Sequence, residues 1–125
     1  MDARRWKKLT TIAEAETAAT LRRLASDLQV RAASVPVVFE PWASEALLTP
    51  DMEPDILGLF VGDPHNLTDS TQPMPAQIFL FLESIWELVE GDEAAFRQEV
   101  RLTYLHELGH YLGLDEGELE ARGLQ

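Results

Sequence analysis

The C-terminal part of the chain contains two histidines and a glutamate at a spacing that suits metal chemistry. His106, Glu107 and His110 form the pattern His-Glu-x-x-His. On an α-helix, residues four positions apart lie on one face, about 40° apart around the axis, so both imidazoles can reach one cation. Neutral imidazole nitrogen is a good ligand for Zn²⁺, and Glu107 would lie beside a metal-bound water. The pattern predicts a zinc site with His106 and His110 as ligands.

Two histidines alone hold zinc weakly, so the predicted site needs a third ligand from the protein. Gly113 is typical of a residue that ends a helix in the left-handed conformation, after which the chain can turn back. Asp115 and Glu116 follow this glycine closely. Either carboxylate could complete the site, and Glu116 lies ten residues after His106.

The elements that must position these residues can be predicted from periodicity and capping patterns. Asp92 is a suitable N-cap for a final helix that runs to about Leu112, with leucines opposite the histidines. A capping box at Thr11 and Glu14 predicts a first helix over about residues 11–30, preceded by a loose basic arm at residues 1–9. A short helix is expected around residues 84–90.

Three short apolar segments are typical of strands, at about residues 35–40, 56–62 and 77–82. Pro36 places the first of them at an edge or at a strand start. Proline-rich connections at 41–55 and 63–76 separate the strands. The order of helix, three strands and helix predicts a small α+β fold, and the length of 125 residues predicts a single domain over 1–125.

Charge and composition exclude several classes of function. The formal net charge is −12, and seven of the ten Lys and Arg residues lie within residues 1–31. The acidic remainder would repel phosphate and anionic lipid, so we expect no nucleic-acid or membrane partner. The chain has no cysteine, which excludes thiolate metal sites and a cysteine nucleophile. Without a secretory signal or a membrane-length apolar run, a soluble cytoplasmic protein is expected.

The full pattern His106-Glu107-x-x-His110-x-x-Gly113-x-x-Glu116 resembles the extended motif of zincins whose third ligand lies ten positions after the first. It is most similar to the minizincins, short single-domain bacterial zincin-like metallopeptidases, and the order of strands and motif helix extends the resemblance over about residues 11–122. The resemblance implies a zincin-like domain with an N-terminal helix, a three- to four-stranded mixed sheet and a C-terminal motif helix. It also implies His106, His110 and Glu116 as zinc ligands and Glu107 as the base. The methionine turn of the metzincins is absent, since no methionine follows Gly113.

These features predict a zinc metallopeptidase that hydrolyses a peptide or protein through a zinc-activated water. The substrate would add in an extended conformation along an edge strand of the sheet, for which Gln77–Leu82 is the candidate. The alternative is a metal-binding module with little or no catalysis that recognises a protein partner, because no residue is evident for stabilising an oxyanion. A purely structural zinc site is a third possibility. For His65, an exposed loop position is favoured over a catalytic role, and for Tyr104 and Tyr111 packing is favoured.

Overall fold

Four helices and three strands make up the computed structural model, which describes residues 2–62, 75–114 and 117–118. In chain order they are α1 (Ala3–Arg23), α2 (Ser26–Ala33), β1 (Val37–Glu40), β2 (Gly58–Val61), β3 (Gln77–Phe81), α3 (Leu82–Leu88) and α4 (Glu93–Leu112). The strands form one mixed sheet. The predicted α+β class is therefore confirmed, and the mixed sheet predicted to have three to four strands has three in the described part of the chain.

The first helix begins earlier than the sequence patterns predicted. Asp2 caps α1 by accepting hydrogen bonds from the backbone N–H groups of Arg4 and Arg5, and the helix starts at Ala3. Leu9 is completely buried, although four basic residues lie among the eight residues before it in the sequence. The prediction of a loose arm was therefore wrong for residues 3–9. Burial of this leucine in the core stabilises a segment whose composition alone is typical of a solvated arm.

The sheet has the order β1-β3-β2, with β1 parallel and β2 antiparallel to β3. The third strand is thus the centre of the described sheet, and Ile78, Leu80 and Phe81 are completely buried in it. The expectation that a substrate adds along Gln77–Leu82 was wrong, because both sides of β3 already pair with neighbouring strands. The edges of the described sheet are β1 and β2, and β1 begins directly after Pro36, as predicted.

The core lies between the sheet and the helices, with α4 packed against both α1 and the sheet. Leu105, Leu108 and Leu112 of α4 are buried, as expected for the face opposite the histidines. Trp42 lies outside the core, since it is 44% exposed, and its ring N–H donates a hydrogen bond to Glu87. Among the described helices, none is long and apolar enough to cross a membrane.

Candidate metal centre

The helix α4 carries the motif, and its ends are set by local interactions. The side chain of Asp92 accepts a hydrogen bond from the backbone N–H of Ala95 at the N-terminus. Gly113 has a φ of 72° and ends the helix in the left-handed conformation, where its N–H donates to the carbonyl of Gly109. A residue with a Cβ adopts this conformation only at a cost, which explains why glycine occupies the position. The predicted start and end of this helix are confirmed.

His106 and His110 are both exposed and point toward a common spot. Their Nε2 atoms are 3.2 Å apart, and the ring centroids are 4.8 Å apart with an interplanar angle of 64°. Two nitrogens that each lie ~2.0–2.1 Å from one tetrahedral zinc ion are about 3.3 Å from each other. The spacing of the two imidazoles therefore fits a single ion held between them.

Glu107 lies beside this pair but is buried, with 8% of its surface exposed. One carboxylate oxygen of Glu107 and one ring nitrogen of each histidine lie within 4.8 Å of one another. Burial raises the pKa of Glu107, while the two nearby histidines and a hydrogen bond from the backbone N–H of Phe60 act in the opposite direction. The carboxylate is thus poorly hydrated but is held in place by the neighbouring strand.

The edge strand β2 passes over this part of α4 and supplies that hydrogen bond. The N–H of Phe81 donates to the carbonyl of Leu57, so alternation along the ladder directs the backbone groups of Gly58 and Phe60 away from β3. This direction agrees with the bond from Phe60 to Glu107. The edge strand therefore holds the buried carboxylate by a main-chain donor.

Gly58 allows β2 to approach α4 this closely. A Cβ atom at this position would lie 2.6 Å from Cγ2 of Thr103 and 3.4 Å from Cγ of Glu107. The sequence patterns did not single out Gly58 or Phe60 as site residues. The available signal was a glycine inside an apolar strand, which often marks a close approach of another part of the backbone or of a ligand.

The remaining candidates differ in where they lie. Glu99 and Thr103 lie on α4 before the motif and line an open cavity together with His106 and Glu107. Asp115, Glu116 and His65 lie outside the described residues. The identity of the third ligand therefore stays a prediction.

Both tyrosines beside the motif are packed, as expected. Tyr104 is buried among apolar residues, and burial raises its pKa to about 12. The ring of Tyr111 contacts Phe60, with the centroids 5.8 Å apart, and its hydroxyl lies 3.5 Å from Oγ of Ser34. Their roles are structural support for the helix and for β2.

A buried glutamate between two convergent histidines, on a helix that packs under a small mixed sheet, is the arrangement expected of a zincin. The model of the zincin-like metallopeptidase family matches residues 32–124 of the chain. This match includes all three strands and the whole of α4. The chain belongs to the zincin-like metallopeptidase family. A search of the curated proteins finds no significant match.

Proposed function

We propose that the protein is a zinc-dependent metallopeptidase in which His106, His110 and Glu116 hold the ion. The observation that carries this proposal is the 3.2 Å separation of the two Nε2 atoms, with the buried carboxylate of Glu107 beside them. Membership of the zincin-like metallopeptidase family supports the same function. Glu116 completes the ligand set by its position ten residues after His106, and Asp115 is its competitor.

The chemistry requires a Lewis acid and a base. Zinc, when bound, polarises a peptide carbonyl and lowers the pKa of water. Glu107 takes a proton from the attacking water and returns it to the nitrogen of the leaving amine, so that one water is consumed for each peptide bond cleaved. Burial favours this role, because a poorly hydrated carboxylate with a raised pKa is a stronger base than an exposed one.

We propose that the substrate binds in an extended conformation along β2, since that strand lies at an edge of the described sheet and contacts α4 at the candidate centre. The backbone groups of Gly58 point away from β3, and a peptide strand can pair with them. This proposal replaces the earlier expectation for Gln77–Leu82. It brings the peptide backbone next to the strand that holds Glu107.

The substitution Glu107→Gln tests the base. It keeps the size of the side chain and its ability to accept the hydrogen bond from Phe60, but it cannot take up a proton. We expect the variant to bind zinc in the same stoichiometry as the parent and to lose turnover of a broad peptide library by about 10²–10⁴-fold. Metal analysis and the rate of cleavage measure the two effects.

Glu14→Gln is a matched control, because Glu14 is an exposed carboxylate on α1 and its loss changes the net charge by the same amount. We expect this control to cleave peptides at the parental rate. Undiminished cleavage by Glu107→Gln would remove Glu107 from the mechanism.

The alternative function is a metal-binding module that recognises a protein partner with little or no catalysis. It is favoured by one observation: Tyr104 and Tyr111, the tyrosines nearest the motif, are both buried in packing contacts and not presented to a substrate. This alternative predicts zinc binding by the parent protein without turnover of any peptide in the library.

A further inference from the structure

An open cavity of about 350 Å³ adjoins the candidate metal centre. The two share a wall, because His106 and Glu107 line the cavity as well as the centre. On one side, the rest of the lining comes from the first residue of β2 and the two residues before it, which are Gly58, Ile56 and Leu57. On the other side it comes from the turns of α4 that precede the motif, with Glu99, Leu102 and Thr103. A substrate backbone along β2 would direct one side chain into this space.

The wall of the cavity is mainly apolar. Ile56 and Leu57 are half-buried, and Gly58 contributes only backbone. Leu102 is 37% exposed, one of the few large apolar side chains that the described surface presents to solvent. An aliphatic side chain of a substrate that covers these residues would remove their apolar surface from water, and this burial would favour its binding.

Glu99 adds a single carboxylate to this apolar wall. It lies seven residues before His106, so the two share a face of α4 and are separated by roughly 10 Å along the axis. It is half-buried, and no Lys or Arg in the described part of the chain forms an ion pair with it. Glu93, on the same helix, differs from it in pairing with both Lys8 and Arg97.

We propose that this cavity selects a lysine or arginine beside the scissile bond of the substrate, an inference that rests on the peptidase function proposed above. The aliphatic stem packs on Ile56, Leu57 and Leu102, and the cation reaches the carboxylate of Glu99. Long basic side chains combine these two properties, since their stems pack on apolar surface while their charged ends remain at a polar group. The separation between Glu99 and the histidines requires a long side chain.

The first measurement is binding, which does not depend on turnover. Fluorescent alanine-based octapeptides carry one lysine, or norleucine in its place, scanned along the sequence, and are titrated against the zinc-loaded Glu107→Gln protein by anisotropy. We expect the best lysine peptide to bind about tenfold more tightly than its norleucine partner, because norleucine keeps the stem and lacks the cation. The added substitution Glu99→Gln should reduce this ratio to about one.

Two further variants test whether Glu99 acts locally. Glu14→Gln removes one exposed carboxylate elsewhere and should leave the ratio unchanged, whereas a general attraction by the net charge of −12 would respond equally to both changes. Glu99→Lys should favour a glutamate peptide over a lysine peptide. Two results would overturn the inference. One is a ratio of lysine-peptide to norleucine-peptide affinity near one in the Glu107→Gln protein, and failure of both peptides to bind counts as this result. The other is a ratio that persists when Glu99→Gln is added.

The same peptides separate this inference from the function on which it rests. With zinc-loaded protein that retains Glu107, we expect kcat/KM to be about tenfold higher for the lysine peptide and to lose this preference in Glu99→Gln. Cleavage without such a preference would refute the basic specificity and leave the peptidase function standing. A Glu99-dependent binding preference with no cleavage would refute the peptidase function and retain the cavity as a site for basic side chains.

Discussion

At the scale of single residues, Glu107 combines burial with a charge. A carboxylate that is 8% exposed has lost most of its water, and only the backbone N–H of Phe60 and the two histidines offset that loss in the described part of the site. Such a residue destabilises the protein when no metal is bound. An unfavourable burial of this kind is common where a group is kept for its chemistry and not for its contribution to folding.

The raised pKa of Glu107 predicts how the stability of the metal-free protein depends on pH. Because the folded-state pKa lies above the ordinary value of 4.5, the folded protein holds this proton more tightly than the unfolded chain. The stability that the folded protein gains by holding this proton is fully present below pH 4.5 and is lost as the pH rises through the folded-state pKa. In the presence of chelator, the melting temperature of Glu107→Gln should therefore exceed that of the parent by an amount that grows as the pH rises through this window. Above the window the difference between the two melting temperatures should be constant.

Thermal unfolding between pH 4 and pH 8 measures this difference. Glu14→Gln should show no such change with pH, since Glu14 is exposed. A melting difference for Glu107→Gln that is flat or that shrinks with rising pH would contradict the assigned direction of the shift.

At the scale of elements, the contact between β2 and α4 depends on the absence of a side chain at Gly58. A methyl group there would lie 2.6 Å from Cγ2 of Thr103, so the strand or the helix must move. We expect Gly58→Ala to lower the free energy of unfolding by about 1–3 kcal/mol, as is typical of overpacked sites. Urea denaturation measures this change, and peptide turnover should fall with it because β2 also holds Glu107.

A second substitution tests whether the clash with Thr103 is the cause. Thr103→Ser removes Cγ2, the nearest atom to the added methyl. In a double-mutant cycle, Thr103→Ser should recover part of the stability lost in Gly58→Ala. Strict additivity of the two changes would show that the loss has another origin, such as the approach to the carbonyl of Phe79.

The attachment of the N-terminal turns of α1 to the rest of the domain is a second contact between elements. Nε of Arg5 lies 3.1 and 3.2 Å from the two carboxylate oxygens of Glu83, which is 1% exposed. Replacing Arg5 with alanine leaves a buried charge without its partner, and we expect a loss of about 1–3 kcal/mol, reduced from that of a fully buried pair because Arg5 is partly exposed. Chemical denaturation measures the loss.

The double variant Arg5→Ala, Glu83→Gln is the control for this ion pair. Since it removes the unpaired charge, it should be more stable than Arg5→Ala alone. A double variant less stable than the single one would assign the loss to packing of the arginine stem and not to the charge.

At the scale of the whole molecule, the two histidines of the candidate metal centre lie apart from the apolar core. The buried apolar cluster extends through α1, α2, the sheet, α3 and α4, whereas His106 and His110 are on the exposed side of α4. We therefore expect a chelator to lower the melting temperature without abolishing the cooperative unfolding transition, because zinc stabilises the folded state by mass action and is not needed to form the core. Calorimetry with and without chelator measures both properties.

The pH dependence of zinc binding belongs to the same prediction. Both imidazoles must be neutral to bind the ion, so acid should release it while the core stays folded. Complete unfolding on removal of zinc would instead indicate a structural zinc site, the third possibility raised by the sequence.

The features that the sequence determined by itself are those that depend on near neighbours along the chain. Spacing of four places His106 and His110 on one face of a helix, and Asp92 and Gly113 set the ends of that helix by capping and by a left-handed backbone. Interactions of this kind lie within one or two turns, so a pattern of residue types predicts them directly. The extended motif predicted the family in the same way.

Only the tertiary structure decided which strand lies at the centre of the sheet and how near β2 comes to the helix. Strand order depends on pairing between residues far apart in the sequence, and β2 and β3 are similarly apolar, so the pattern could not distinguish an edge strand from the central one. The burial of Leu9 and the close approach of β2 that Gly58 permits likewise depend on contacts with residues far away in the sequence, including those of α4. Such contacts arise when elements pack together, and no local preference of the chain specifies them.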